Sequence, residues 1–288
     1  MRHPARLKRL AIPAVLPGLL LLSLACPTRQ NRGRGNALTL NLELVDSARL
    51  PGPAVGLCTD RNGLLLADRS GTDIYCYDLN LAARSPVAIG PGITGVRGIA
   101  ADAFFIFLYD SGRIYRMDRS GGELVQVMSG VDCRYATVLA GGELGFCDAT
   151  NNRILYVDPT QKVSMLSTDH PDLQPTAFAV GPDGNSYVLN AALRDVVVLS
   201  RIGEALRSIP LPGAGIRIAV DDSLRVYVLE RTGTRLWRFD SDARRLQADA
   251  AQLGLDFVAS EMVVVKDWLF LLDRDSRILK LRIPRVTG

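Results

Sequence analysis

A five-residue pattern, apolar at its first and fourth positions and usually closed by aspartate, occurs six times along the chain at nearly even spacing. The copies read IYCYD (74–78), IYRMD (114–118), ILYVD (154–158), VVVLS (196–200), LWRFD (236–240) and ILKLR (278–282). Ahead of each stands another short apolar run ending in an acid or an amide, at Asp68, Asp110, Asp148, Asn190, Glu230 and Asp273. The period is about 41 residues, the length of one small supersecondary unit.

Within each period, short β-rich runs alternate with turn chemistry such as Asn62-Gly63, Ser120-Gly121-Gly122 and Asp183-Gly184. No segment carries a long helical stripe. Four strands per period form a small sheet with two apolar faces, and only neighbouring sheets can cover both. Radial packing satisfies every unit at once, so the sequence predicts an all-β, six-bladed β-propeller with four-stranded blades. A β-sandwich of similar length would leave the constant period unexplained.

The last unit supplies only three strands, over residues 258–265, 268–273 and 278–282. Residues 38–44, LTLNLEL, alternate apolar and polar side chains ahead of the first unit. That alternation predicts a strand that completes the last blade and closes the ring, with the propeller spanning residues 38–288.

Residues 1–25 read as an export leader, with Arg2, Arg6, Lys8 and Arg9 followed by an apolar stretch over 10–25 that is short for a membrane span. LSLAC (22–26) resembles the bacterial lipobox, which makes Cys26 the expected lipid attachment site; cleavage by an ordinary signal peptidase is the alternative. Residues 26–37, CPTRQNRGRGNA, have the composition of a flexible tether. The expectation is an exported protein held at a membrane through its lipid, at the outer membrane or facing the periplasm of a Gram-negative cell. Pro27, in place of aspartate after the cysteine, resembles the pattern that permits sorting to the outer membrane.

Charge narrows the partners. Lysine and arginine total 34 against 30 acids, and the four basic residues of the leader account for the whole excess. A body neutral overall offers no polyanion-binding surplus, so nucleic acid is not an expected partner.

Three segments carry a family resemblance: VGLCTDRNG (55–63), RGIAAD (97–102) and AFAVGPDG (177–184) look like the start of the NHL repeat. Asp148 through Asn152-Arg153-Ile154, and Asp273 through Arg277-Ile278, look like its centre. The resemblance to NHL and TolB-like propellers spans about residues 38–284. It implies the six-bladed fold, but this scaffold serves lyases, lactonase relatives and interaction platforms alike.

The residues present argue against several chemistries. NHL amidating lyases hold zinc with several histidines, whereas His170 is the one histidine after the leader. It lies in STDHPD (167–172), a polar loop, and reads as a solvated side chain rather than a member of a Ser-His-Asp relay. Gluconolactonase-like propellers bind a divalent cation at the channel mouth through acids and amides. Here the innermost strands offer Val55, Arg97, Tyr135, Ala177, Arg217 and Ser260 by repeat alignment, a set unsuited to a cation. The acids that end the second strands are followed by Arg113, Arg153, Arg235 or Arg277 in four of the units, so each is expected to cap its own turn or pair with that arginine. No phosphate loop is present. No catalytic residue, metal site or cofactor is therefore predicted.

What remains is a cluster for ligand binding: Arg97, Arg134, Tyr135 and Arg217, aligned at the channel mouth. Guanidiniums converging on one cavity repel unless acids such as Asp132 or Asp256 pair with them or an anion fills the site. The expected partner is a protein, peptide or glycan carrying negative charge. Cys133 and Cys147 fall near one another on adjacent strands of the third unit, where export permits a disulfide or two buried free thiols. Together these features predict a membrane-anchored propeller acting as a binding scaffold, its oligomeric state left open. A lactonase- or hydrolase-type enzyme working at the channel mouth is the alternative.

Overall fold

A computed structural model describes residues 38–60, 62–166, 168, 170, 172–242 and 244–284. Six four-stranded antiparallel sheets follow one another along the chain, at residues 54–88, 98–129, 133–165, 175–210, 215–249 and 259–282, the last completed by an N-terminal strand. We number these blades 1 to 6. The innermost strand of each blade neighbours that of the next, and blade 6 returns to blade 1, so the ring closes. Among the described residues the sole helical element is a 3₁₀ turn, Ala251–Leu253.

The apolar runs in the middle of each repeat explain the packing. The second strands, such as Leu64–Asp68, Leu144–Asp148 and Ser186–Asn190, are buried along their whole length because both faces meet a neighbouring blade. Core side chains gather between adjacent blades: Leu65 and Ile74 with Ile99 and Leu108, for example, and Tyr187 and Leu189 with Val226 and Trp237. Outer strands such as Ala83–Ala88 and Ala205–Pro210 are largely exposed, and each of these two carries an arginine, a serine and a proline at the free edge. The innermost strands of blades 1 and 2 approach closely at Gly56 (φ +71°), where a Cβ would lie 2.8 Å from the Cα of Gly98.

Closure is as predicted in kind but not in position. The strand that completes blade 6 is Glu43–Arg49, antiparallel to Arg277–Arg282, and not residues 38–44. Leu38–Thr39 instead adds a short parallel strand to the outer edge of blade 5. The alternation in 38–44 nevertheless has a physical source, since Leu40 and Leu42 are buried between blades 5 and 6 while Leu38 and Leu44 are exposed. A crevice between sheets can satisfy the same period-two pattern as a strand face.

A second difference lies within the innermost strands. Every blade but the second carries a register shift there, which in blades 3 to 6 leaves Arg134, Thr176, Ile216 and Ser260 without a cross-strand partner. The bulge separates Cys133 from Cys147. Cys133 packs toward blade 2 with Ile114 and Val131, whereas Cys147 packs toward blade 4 with Ile154 and Phe178. Thiols on opposite faces of one sheet cannot bridge, and Cys58, Cys76, Cys133 and Cys147 are all free. The leader, Cys26 and the tether lie outside the described residues.

Candidate functional site at the channel mouth

The acids that end the second strands are engaged within their own units, as the repeat predicts. Arg153 donates to Asp148 at 2.9 Å and Arg277 to Asp273 at 2.7 Å, while Asp68 accepts from Ser70 and Thr72. Burial pushes the Asp148 carboxyl up, but hydrogen bonds from Asn151 and Arg153 outweigh it and hold the group below the usual carboxylate range. Asn190 takes the same place in blade 4, accepting from the Gln174 amide at 2.8 Å and donating to Asp195 at 3.0 Å. These six positions stabilise turns.

The channel-lining set matches the repeat alignment in blades 1, 3, 4 and 5 and lies one residue further on in blades 2 and 6. The residues opposite the position before each strand-end acid are Val55, Gly98, Tyr135, Ala177, Arg217 and Glu261. Arg97 is thus not the equivalent of Arg217: it precedes Gly98, stands exposed on the rim and bonds Asp132 of blade 3 at 3.0 Å. Ser260 is the bulge residue of blade 6, and Glu261 takes the place expected for it.

Glu261 changes the chemistry of the channel. Arg217 donates from Nε and Nη2 to the two Glu261 oxygens and from Nη1 to the Ile216 carbonyl at 2.8 Å. Its guanidinium lies 5.7 Å from the centre of the Tyr135 ring, which meets Phe178 edge-on. Burial works against the Arg217 charge, but the Glu261 carboxylate and its hydrogen bonds more than offset this and keep the guanidinium protonated. Burial likewise holds the Tyr135 phenol neutral, well above its ordinary range.

Above this pair opens a cavity of about 590 Å³ at the mouth formed by blades 3, 4 and 5. Its charged lining is Arg134, Arg194, Arg217 and Arg231, with no carboxylate. Asn152, Gln174 and Thr176 add neutral hydrogen-bonding groups, and Ala149, Ala191 and Ala214 leave the space open. Arg134 is held by Asp132 at 2.9 Å and Arg217 by Glu261. Arg194 and Arg231 project from exposed turns of blades 4 and 5 and make no ion pair among the described residues.

Of the four residues expected to bind ligand, Arg134 and Arg217 therefore line one cavity, Tyr135 lies deeper in the channel and Arg97 stays outside. Arg194 and Arg231 escaped sequence reasoning because they sit in second-to-third-strand turns, where arginine pairs with the strand-end acid in other blades. No sequence signal set Arg231 apart: it directly follows Glu230, but Arg69 and Arg274 follow Asp68 and Asp273 in the same way.

A second cavity of about 610 Å³ lies at the other end of the channel, bordered by Asp60, Asp102, Asp222, Lys266 and Phe104. Its acids are largely spoken for, since Asp60 pairs with Arg119 and Asp102 caps its own turn through two backbone amides at 2.7 Å. His170 borders a polar pocket of about 400 Å³ beside blade 3, and does not line the arginine cavity.

No protein-family model and no curated protein matches the sequence. Solved structures do match. A virginiamycin B lyase from Staphylococcus aureus superposes with a TM-score of 0.64 at 12% identity, covering 85% of this chain and 100% of that one. A gluconolactonase from Xanthomonas campestris gives a TM-score of 0.61 at 16% identity, covering 88% and 99%. YCF48, solved with a D1 peptide, gives 0.61 at 12% identity, covering 86% and 100%. At such identities the likeness establishes the six-bladed architecture and leaves function to the site.

Proposed function

We propose that this protein is an exported, lipid-anchored propeller of NHL or TolB-like type whose channel mouth binds an anionic ligand, most simply a carboxylate-bearing peptide segment. The carrying observation is the cavity that four arginines line without any carboxylate, two of them lacking an acidic partner. Like charges gathered in a recess are costly unless an anion joins them, and planar guanidiniums match carboxylates by paired hydrogen bonds. YCF48 supports the peptide reading, being a propeller of this shape with a peptide bound. The lipobox-like LSLAC and the tether after it support display at a membrane surface.

An enzyme acting on an anionic substrate at the same mouth is the second reading. Arg217, Glu261 and Tyr135 are gathered beneath the cavity, and neighbours of the same fold are a lyase and a gluconolactonase.

A photo-crosslinking residue in place of Ala191, at the cavity rim, tests the reading. In the native envelope it should capture a defined peptide or protein that the same residue in place of exposed Phe104, at the other end of the channel, does not. Equal capture from both positions would remove the mouth as the binding face.

A further inference from the structure

The channel-mouth cavity has four guanidiniums in its lining, and they are not equivalent. Arg134 donates through Nε and Nη2 to Asp132, whose other oxygen is taken by Arg97 from outside the cavity. Arg217 spends Nε and Nη2 on Glu261 and one Nη1 proton on Ile216. Its planar fork is therefore closed to a ligand carboxylate. Arg194 and Arg231 are flanked in sequence by Asp195 and Glu230, but those acids are engaged elsewhere. Asp195 accepts from Asn190 at 3.0 Å and from Ser208; Glu230 accepts from Thr232 at 2.8 Å and lies 3.6 Å from Arg235.

We infer that the ligand presents two carboxylates to this site, one for each open fork of Arg194 and Arg231, and that Glu261 and Asp132 are the positioning residues that fix this number by closing the forks of Arg217 and Arg134. The inference rests on the anion-binding reading above and deepens it. A carboxylate brought to a closed fork gains only weak, screened attraction, whereas one brought to an open fork gains a bidentate, charge-assisted pair. A peptide ending in an acidic residue supplies two carboxylates at its terminus, and a cavity of about 590 Å³ accommodates such a group.

Four N-acetylated tripeptides with zero to three carboxylates test the count by calorimetry: Ala-Ala-Ala amide, then the free acids Ala-Ala-Ala, Ala-Ala-Glu and Ala-Glu-Glu. The parent protein should gain about tenfold in affinity at each of the first two steps, and less than about twofold at the third. In Glu261→Gln, which loses the carboxylate charge but keeps its shape, the third step should also reach about tenfold. In Arg231→Met the series should level off after the first carboxylate, which keeps the count testable if the Glu261 variant fails to fold. A third step in the parent equal to the first two, or an Arg231→Met series stepped like the parent's, overturns the count and leaves the anion site standing. Absence of binding across the whole series overturns the anion-site reading, and the count with it.

Discussion

Arg217 of blade 5 and Glu261 of blade 6 stand at equivalent positions of their innermost strands, and the guanidinium holds both carboxylate oxygens in a fork across the blade boundary. Their side chains are 17% and 9% exposed. A pair this far from water is a poor source of net stability, because desolvation offsets most of the attraction. Its consequence is positional: it fixes one guanidinium beneath the mouth and removes it from competition for ligand.

The pair's energetics give the first prediction. Glu261→Ala leaves a largely buried guanidinium without its acid and should cost about 3–5 kcal/mol in urea unfolding. Replacing both residues by methionine should fall much nearer the parent. A double variant as unstable as the single one would show that the carboxylate does more than compensate Arg217.

Closure gives the second. Leu40 is fully buried between blades 5 and 6, so Leu40→Ala should lower stability by about 2–5 kcal/mol. Leu44 is 40% exposed, and Leu44→Ala should stay within about 0.5 kcal/mol. Equal losses would mean that residues 38–44 close the ring as a strand face after all.

Alkaline pH gives the third. Burial raises the thiols of Cys58, Cys133 and Cys147 above their ordinary 9.0, and the phenols of Tyr109, Tyr135 and Tyr227 above 10.0. The unfolded chain releases these protons from about pH 9 upward, while the folded chain retains them. Linkage therefore makes their contribution complete below pH 9 and has it decline as pH rises. Denaturation midpoints should fall steadily between about pH 9 and 11, and iodoacetamide should reach Cys133 and Cys147 only on unfolding. All four thiols of the propeller should then be modified without reductant.

The anchor gives the fourth. Metabolic labelling with a fatty acid should tag the protein, and Cys26→Ser should release it in soluble form. A mature protein that starts downstream of Cys26 and carries no label would place the chain in solution after export.

Much of the architecture was legible because each blade repeats one solution to one problem: apolar second and third strands buried on both faces, and an acid, or Asn190 in blade 4, closing each turn. Arg153 on Asp148 and Arg277 on Asp273 could be read directly, since their partners lie four or five residues away. The channel was less legible, because a one-residue bulge in the innermost strands is invisible to pattern. It brought Glu261 in place of Ser260 and set Cys133 and Cys147 on opposite faces. Blade 2 has no such bulge, and there Gly98 rather than Arg97 takes the inward place. Arg194 and Arg231 became recognisable only when three blades were seen to share one recess.

The central claim is that this recess binds carboxylate through Arg194 and Arg231. Its most direct test is calorimetric titration of N-acetyl-Ala-Ala-Glu into the parent and into the double variant Arg194→Met and Arg231→Met. Both positions are exposed, so folding should persist. Losing two charge-assisted contacts should weaken binding by about 100-fold, with the unfolding midpoint unchanged. Equal affinity in parent and double variant would contradict the account.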